Sequence, residues 1–103
     1  ETNSMGVGEK GAWSSLIRYT VSFQPKAKKA LVAASQEDRL RITAAIELLR
    51  ENPLPPKALK LKGREGYRIR VGKYRIIYSF DGTELVIIVL DIGPRRDIYL
   101  RTL

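Results

Sequence analysis

Two reactive residue types are missing from this chain of 103 residues, which contains neither cysteine nor histidine. Without cysteine, disulfides, thiol nucleophiles and thiolate zinc sites are excluded. Without histidine there is no imidazole base, no Ser-His-Asp triad and no histidine metal cluster. The longest apolar run, the six residues from Leu85 to Leu90, is far shorter than the roughly 20 residues needed to span a bilayer. Most familiar hydrolase and redox chemistries are therefore excluded.

What the chain does have is positive charge, and most of it lies in one segment. The net charge is +8, and a hydrophobic content of 44% is enough for the interior of a single domain. Residues 57–75 contain eight Lys and Arg residues against Glu65 alone. Such a local basic field attracts nucleic acid, an anionic membrane surface or an acidic protein, although it also occurs on a face that only keeps a protein soluble.

The first half of the chain predicts one strand and two helices. Residues 1–17, rich in Gly and Ser, predict a flexible lead-in, and residues 18–103 predict a single domain. Pro25, directly after an alternating strand-like stretch, suits the first turn of a helix. Ser35 is expected to cap a second helix, which Asn52-Pro53 ends. The apolar stripe expected in this helix consists of Leu40, Ile42, Ala45, Ile46 and Leu49.

The second half predicts three further strands. Residues 67–71 alternate strictly, Gly72-Lys73 predicts a hairpin turn, and residues 74–80 form the second strand of that hairpin. Residues 84–92 are almost continuously apolar, as expected of a central strand buried on both faces. The fold is thus predicted to be α+β with the order β-α-α-β-β-β. A helical hairpin packs on one face of a mainly antiparallel four-stranded sheet, and the other face is partly open to solvent.

The alternation along the predicted hairpin gathers basic side chains on that open face. If Ile69 points at the helices, Arg68 and Arg70 both point away from them. Lys73 and Arg75 on the partner strand share the same face. Like charges placed opposite each other destabilise a sheet, so the cluster indicates an anionic ligand, and guanidinium forks match phosphate oxygens. The alternative is an exposed face that merely carries long polar side chains.

Three residues after the last strand, Arg95, Arg96 and Tyr99, could close over the edge of the same face. A tyrosine ring can stack on an unpaired base and its hydroxyl can exchange a proton, although a tyrosine here could equally be a packing residue. No convergent carboxylates, phosphate-binding loop or dinucleotide motif are apparent. Phosphate chemistry without metal or histidine is the remaining enzymatic option, and no cofactor is expected.

Four short motifs follow one another between residues 61 and 99. They are Leu61-Lys62-Gly63, the stretch YRIRV at 67–71, the stretch YRIIY at 74–78 and the stretch RRDIY at 95–99. In this order and spacing the chain resembles the RelE/ParE superfamily of toxins from bacterial toxin–antitoxin pairs, over residues 18–101. The RelE branch implies a ribosome-dependent endoribonuclease that cuts mRNA in the decoding site and is silenced by a cognate antitoxin.

The resemblance implies a role for each matching residue. The implied catalytic residues are Arg68, Arg70, Arg75, Arg95 and Tyr99. The residues expected to bind nucleic acid are Lys60, Lys62, Arg64, Lys73 and Arg96. The implied reaction is attack of the ribose 2′-hydroxyl on the adjacent phosphate, which leaves a cyclic phosphate and a free 5′-hydroxyl. The arginines are suited to stabilise the negative charge that gathers on the phosphorane oxygens.

Two departures from the family pattern concern the proton transfers. The best-studied RelE toxin has lysines at the positions of Arg68 and Arg70, and arginine effectively cannot lose its proton to act as a base. Many relatives carry a histidine where this chain has Pro94. We therefore interpret Tyr99, activated by neighbouring arginines, as the general base.

The resemblance leaves two other functions open. A ParE-like toxin poisons DNA gyrase by binding without chemistry, although such chains usually lack the full basic set. A protein with this fold could also bind only its antitoxin and operator DNA. The expected partners are an antitoxin with an acidic C-terminal segment, the ribosome with its mRNA, and operator DNA only through the antitoxin. The expected location is the cytoplasm, with no membrane partner.

Overall fold

The fold is known from a computed structural model that describes residues 18–94. In chain order the elements are β1 (Thr20–Phe23), α1 (Pro25–Ala33), α2 (Gln36–Glu51), β2 (Leu59–Lys60), β3 (Tyr67–Val71), β4 (Tyr74–Asp81) and β5 (Val86–Pro94). The lead-in predicted for residues 1–17 lies outside the described residues, as does the segment after Pro94.

The sheet is mixed, and its strands lie in the order β1-β5-β4-β3-β2. β1 runs parallel to β5, and every other neighbouring pair is antiparallel. The predicted α+β arrangement with two helices on one face is confirmed, but the sheet has five strands instead of four. The additional strand is β2, in which Leu59 pairs with Arg68 and Lys60 with Tyr67. A strand of two residues shows no side-chain alternation in the sequence, so β2 can be identified only from its pairing with β3 in the structure.

The helix boundaries follow the local signals in the sequence. Pro25 is the first residue of α1, where its missing N–H leaves no helical hydrogen bond unmade. The Ser35 hydroxyl oxygen accepts a hydrogen bond of 3.1 Å from the backbone N–H of Asp38, and so caps α2. α2 ends at Glu51, directly before Asn52-Pro53. The predicted cap and both helix limits are confirmed.

One side of α2 packs on the helix-facing side of the sheet. The core consists of Ala27, Ile42, Ile46, Leu49, Ile69, Ile76, Tyr78, Ile87, Val89 and Ile92. The predicted stripe is confirmed except at Leu40, which is 63% exposed. At about 100° per residue, Leu40 lies some 200° around the helix axis from Ile42, and its side chain therefore points to solvent.

The prediction that β5 is buried on both faces is wrong in part. Ile87 and Val89 are fully buried against the helices, whereas Ile88 on the other face is only half-buried. A bulge opposite Ile77 leaves Leu90 unpaired, since Ile77 pairs with Asp91 and Tyr78 with Val89. The extra residue reverses the alternation, which places Ile92 in the core and Asp91 on the face away from the helices.

A buried hydrogen bond ties the connector after α2 to the sheet. The Tyr78 hydroxyl donates to the backbone oxygen of Pro53 at 2.6 Å, and both residues are buried. Burial, with a smaller contribution from neighbouring Tyr67, raises the pKa of Tyr78 to about 12. The phenol therefore stays protonated at neutral pH and remains a donor, which holds the start of the connector in place.

Candidate nucleic-acid interface

The β3–β4 hairpin sets the positions of the three arginines within residues 18–94 that were predicted to be catalytic. Gly72, with a φ of 60°, takes the first turn position, where a type II′ hairpin requires glycine. In the resulting register Arg70 lies directly opposite Arg75, and Arg68 lies one pleat further along the same face. Ile69, between the two β3 arginines, lies in the core.

The three arginines share one cleft on the face of the sheet away from the helices. It has a volume of about 450 Å³, and its lining residues are Lys57, Leu59, Arg68, Ile69, Arg70 and Arg75. We call this site the arginine cleft. Arg70 is exposed and Arg68 half-buried, whereas Arg75 is only 7% exposed. The cleft therefore has a buried cationic floor and an exposed cationic rim.

This face is less open than predicted. Arg75, Ile77 and Asp91 on it are all buried. β4 lies between β3 and β5, and these two neighbouring strands shield the middle residues of β4 from solvent. A cation at such a position acts in a lower effective dielectric than a surface cation, and its field on a bound anion is correspondingly stronger.

Among the described carboxylates, Asp91 is buried on the same face of the sheet as Arg75. Within residues 18–94, no carboxylate is within ion-pair distance of Arg70. Glu47 on α2 binds Arg50 and Arg18, which lower the pKa of its carboxyl group. Asp91 lies 3.9 Å from the ammonium of Lys26 and also accepts a hydrogen bond from the backbone N–H of Ile92.

Such a cleft is suited to an anion with several oxygens. Arginine presents planar N–H forks that match phosphate geometry, and its charge does not titrate away at any working pH. In the described part of the chain no three acidic side chains gather closely enough to hold a metal ion. Neither helix of residues 18–94 is long and apolar enough to cross a membrane.

Two of the residues predicted to bind nucleic acid lie on the loop between β2 and β3. Lys62 and Arg64 are both exposed there. The loop is closed by a 3.0 Å hydrogen bond from the N–H of Leu61 to the oxygen of Gly66. Gly66 has a φ of 121°, and a Cβ there would lie 3.0 Å from the backbone oxygen of Tyr78, so only glycine fits this close approach. Lys62 and Arg64 thus lie at the opposite end of β3 from the hairpin turn.

The structure does not bring the other predicted contacts into the cleft. Lys60 alternates with Leu59 and lies over the Tyr67 ring, with its Nζ 5.5 Å from the ring centroid, on the other face of the sheet. Lys73 is exposed in the hairpin turn and does not line the cleft. The predicted residues Arg95, Arg96 and Tyr99 lie outside the described residues.

Lys57 is a cleft residue that the sequence pattern does not single out. Its side chain lines the cleft, and its Nζ donates a hydrogen bond of 3.5 Å to the backbone oxygen of Arg70. Lys57 belongs to the connector before β2, where no strand alternation assigns a face. The only signal for it in the sequence is membership of the basic segment 57–75.

A model of a known toxin family matches most of the chain. The matched family is the ParE toxin of the type II toxin–antitoxin system parDE, and the match covers residues 12–99. The chain belongs to this family of toxins.

Relatives of the toxin with RelE names agree with this assignment. RelE1 of Methanocaldococcus jannaschii is 26% identical over 87 residues, covering 81% of this chain and 97% of that protein. The toxin is also similar to the archaeal RelE–RelB complex of Pyrococcus horikoshii, with 30% identity, a TM-score of 0.65, and coverage of 76% of this chain and 96% of that one. A mutant E. coli RelE in the free state shares the fold at a TM-score of 0.69, with 20% identity and coverage of 82% and 92%. The chain is therefore a RelE-like toxin within the RelE/ParE superfamily.

Proposed function

We propose that this toxin is a ribosome-dependent endoribonuclease that cleaves mRNA in the decoding site without a metal ion. The observation that carries the proposal is the convergence of Arg68, Arg70 and Arg75 on one cleft of about 450 Å³. A cleft of this size accommodates one phosphodiester step, and its cations are opposite in sign to the charge of the phosphate.

The proposed reaction is attack of the ribose 2′-hydroxyl on the adjacent phosphate, which gives a cyclic phosphate and a free 5′-hydroxyl. Negative charge increases on the phosphorane oxygens in the transition state. Preorganised cations in a water-poor site stabilise that charge, and the buried Arg75 is the cation best placed for it. Arg68 and Arg70 bind the flanking oxygens, and Arg95 is proposed as a further cation of the same site.

The proton of the 2′-hydroxyl needs an acceptor that arginine does not provide. Tyr99 is the proposed general base, activated by the surrounding cations. The ribosome supplies the remaining positioning, because a cleft that contacts a single step cannot by itself hold the mRNA in line for attack. Lys62, Arg64, Lys73 and Arg96 are proposed to contact the RNA or ribosomal backbone around the cleft, and the site of action is the cytoplasm.

A cognate antitoxin is the proposed protein partner, since the solved relatives include RelE–RelB complexes. Its acidic C-terminal segment would neutralise the basic segment 57–75. A second suitable surface is an apolar groove of about 480 Å³ on α1, lined by Pro25, Lys28, Lys29, Val32 and Ala33. An acidic amphipathic segment of the antitoxin fits this groove, because its apolar side chains would contact Val32 and its carboxylates would pair with Lys28 and Lys29. Operator DNA is contacted through the antitoxin.

Gyrase poisoning is the second candidate, and the ParE name of the matched family favours it. The arginine cleft argues for the ribonuclease, because binding alone does not require three guanidinium groups on one phosphate-sized site.

A translating extract separates the two functions. The toxin is added, mRNA 5′ ends are mapped by primer extension, and gyrase supercoiling is assayed in parallel, with Arg75→Ala as the control. Codon-phased cuts that disappear in the variant, with supercoiling unaffected, are expected. Inhibited supercoiling with intact mRNA would establish the ParE-like function. If mRNA cleavage and supercoiling are both unchanged, the protein binds only its antitoxin.

A further inference from the structure

Lys57 lies at the outer side of the arginine cleft. Its ammonium is 3.5 Å from the backbone oxygen of Arg70, and its side chain lines the cleft beside Leu59. Lys57 is exposed, whereas Arg75 on the floor of the cleft is buried. A phosphodiester bound in the cleft would therefore have guanidinium groups beneath it and this ammonium at its solvent side.

The connector that carries Lys57 is fixed at both ends. On one side, the buried Tyr78 hydroxyl holds the oxygen of Pro53. On the other side, Leu59 pairs with Arg68 as part of the sheet. Between them the N–H of Ala58 donates to the oxygen of Pro55 at 3.0 Å, which closes a turn around Lys57. The fixed backbone holds the Cα of Lys57 beside the cleft, so only the side chain has to be ordered when it meets a substrate.

Lys57 differs chemically from the other cations of the cleft. A guanidinium group does not give up its proton at accessible pH, whereas an ammonium group can. Of the six described lining residues, Lys57 alone carries a transferable proton. The 5′ oxygen leaves as an alkoxide unless a proton reaches it, and donation by a positioned acid accelerates such a step by about 10²–10⁴-fold.

We propose that Lys57 is the general acid that protonates the leaving 5′ oxygen, a role that rests on the ribonuclease function proposed above. The O2′–P bond forms while the P–O5′ bond breaks, and the electron pair of the broken bond goes to O5′. The Nζ of Lys57 transfers one proton to O5′, which becomes the free hydroxyl. The proton of the 2′-hydroxyl goes to the general base, and solvent then returns a proton to the amine.

Single-turnover cleavage of ribosome-bound mRNA tests this role with two substrates. One carries an ordinary linkage at the cleavage site, and in the other sulfur replaces the bridging 5′ oxygen. A thiolate leaves without protonation, because a thiol is a far stronger acid than an alcohol. Lys57→Ala is expected to cleave the oxygen substrate about 10²–10⁴-fold more slowly than wild type, but the sulfur substrate within about threefold of wild type. Lys57→Arg keeps the positive charge without a transferable proton. We therefore expect this variant also to cleave the oxygen substrate slowly and the sulfur substrate at nearly the wild-type rate.

Arg18→Ala is the matched control, because Arg18 is an exposed cation beside β1, at the sheet edge opposite β2, and its ion pair with Glu47 lies on the surface. This variant is expected to cleave both substrates at the wild-type rate. Wild-type cleavage of the oxygen substrate by Lys57→Ala would overturn the proposal and leave the ribonuclease function intact. An equal loss on both substrates would also overturn it, because a residue that only binds the phosphate is not rescued by sulfur. A wild-type toxin that cleaves neither substrate would overturn the ribonuclease function and this role together.

Discussion

Arg70 and Arg75 lie directly opposite each other in the β3–β4 ladder, so two guanidinium groups share one face of adjacent strands. Like charges in this arrangement destabilise a sheet by a few tenths of a kcal/mol unless an anion lies between them. The Arg70–Arg75 pair is therefore expected to lower the stability of the free toxin, and the proposed binding of phosphate in the arginine cleft would offset this cost.

Arg70→Gln tests this balance between stability and activity. The exposed Arg70 side chain is not needed for the core, so we expect the free energy of unfolding to rise by about 0.5 kcal/mol. Cleavage of ribosome-bound mRNA is expected to fall at least about tenfold, because one phosphate contact is lost. Urea unfolding and primer extension on the same preparation measure the two effects.

Arg18→Gln provides the comparison for this variant, since it removes an exposed cation beside β1, at the edge of the sheet away from the β3–β4 ladder. It should leave cleavage unchanged and lower the free energy of unfolding by at most about 0.5 kcal/mol. Full cleavage by Arg70→Gln would show that the cleft does not contact the substrate.

Tyr78 makes the stability of the toxin sensitive to alkaline pH. Its pKa is about 12 in the folded protein, above the ordinary value of 10.0, because the phenol is buried. The unfolded chain therefore loses this proton first, and the stability contributed by the neutral phenol is complete below pH 10 and is lost as pH rises through 12. Two pKa units correspond to roughly 3 kcal/mol.

Tyr78→Phe is expected to remove this part of the pH dependence. At pH 7 it should cost about 1–3 kcal/mol, since the buried oxygen of Pro53 loses its donor. Between pH 10 and 12 the free energy of unfolding should then fall less steeply than in wild type, as measured by urea unfolding at each pH. Parallel curves for the two proteins would contradict the assignment.

Side-chain alternation explains why much of the site is predictable from sequence. In a hairpin closed by Gly72-Lys73, the register follows from the turn, and the register fixes which face Arg68, Arg70 and Arg75 occupy. The helix caps are equally local, since Ser35 and Asp38 are three residues apart.

What the sequence does not predict depends on contacts between distant segments. The bulge at Leu90 arises from pairing between β4 and β5, and it alone decides that Asp91 faces away from the helices. Lys57 reaches the cleft because a connector is held by Tyr78, 21 residues further along the chain. Neither the periodicity of apolar residues nor a turn motif in the sequence predicts such a contact.

The groove on α1 is expected to hold part of the antitoxin. Val32 on it is 67% exposed, and Val32→Glu would place a carboxylate where an acidic segment docks. We expect the affinity for the antitoxin to fall at least about tenfold, because like charges would meet at the interface. Calorimetry with the cognate antitoxin measures the change.

Leu48→Glu is the matched variant for this test, since Leu48 is 69% exposed on α2. It should leave the affinity within about twofold of wild type. The opposite pattern, with only Leu48→Glu weakened, would place the antitoxin on α2.

The proposed role of Tyr99 as general base can be tested by removing a single oxygen atom. Tyr99→Phe removes only the hydroxyl, and if that oxygen accepts the 2′ proton, the cleavage rate should fall about 10²–10⁴-fold. Single-turnover cleavage across a range of pH measures both the rate and the loss of the limb on which the rate rises with pH. Tyr19→Phe, at a half-buried position directly before β1, should cleave normally. A Tyr99→Phe toxin as fast as wild type at every pH would mean that the proton goes to solvent or to the ribosome, and catalysis would then rest on the arginine cleft alone.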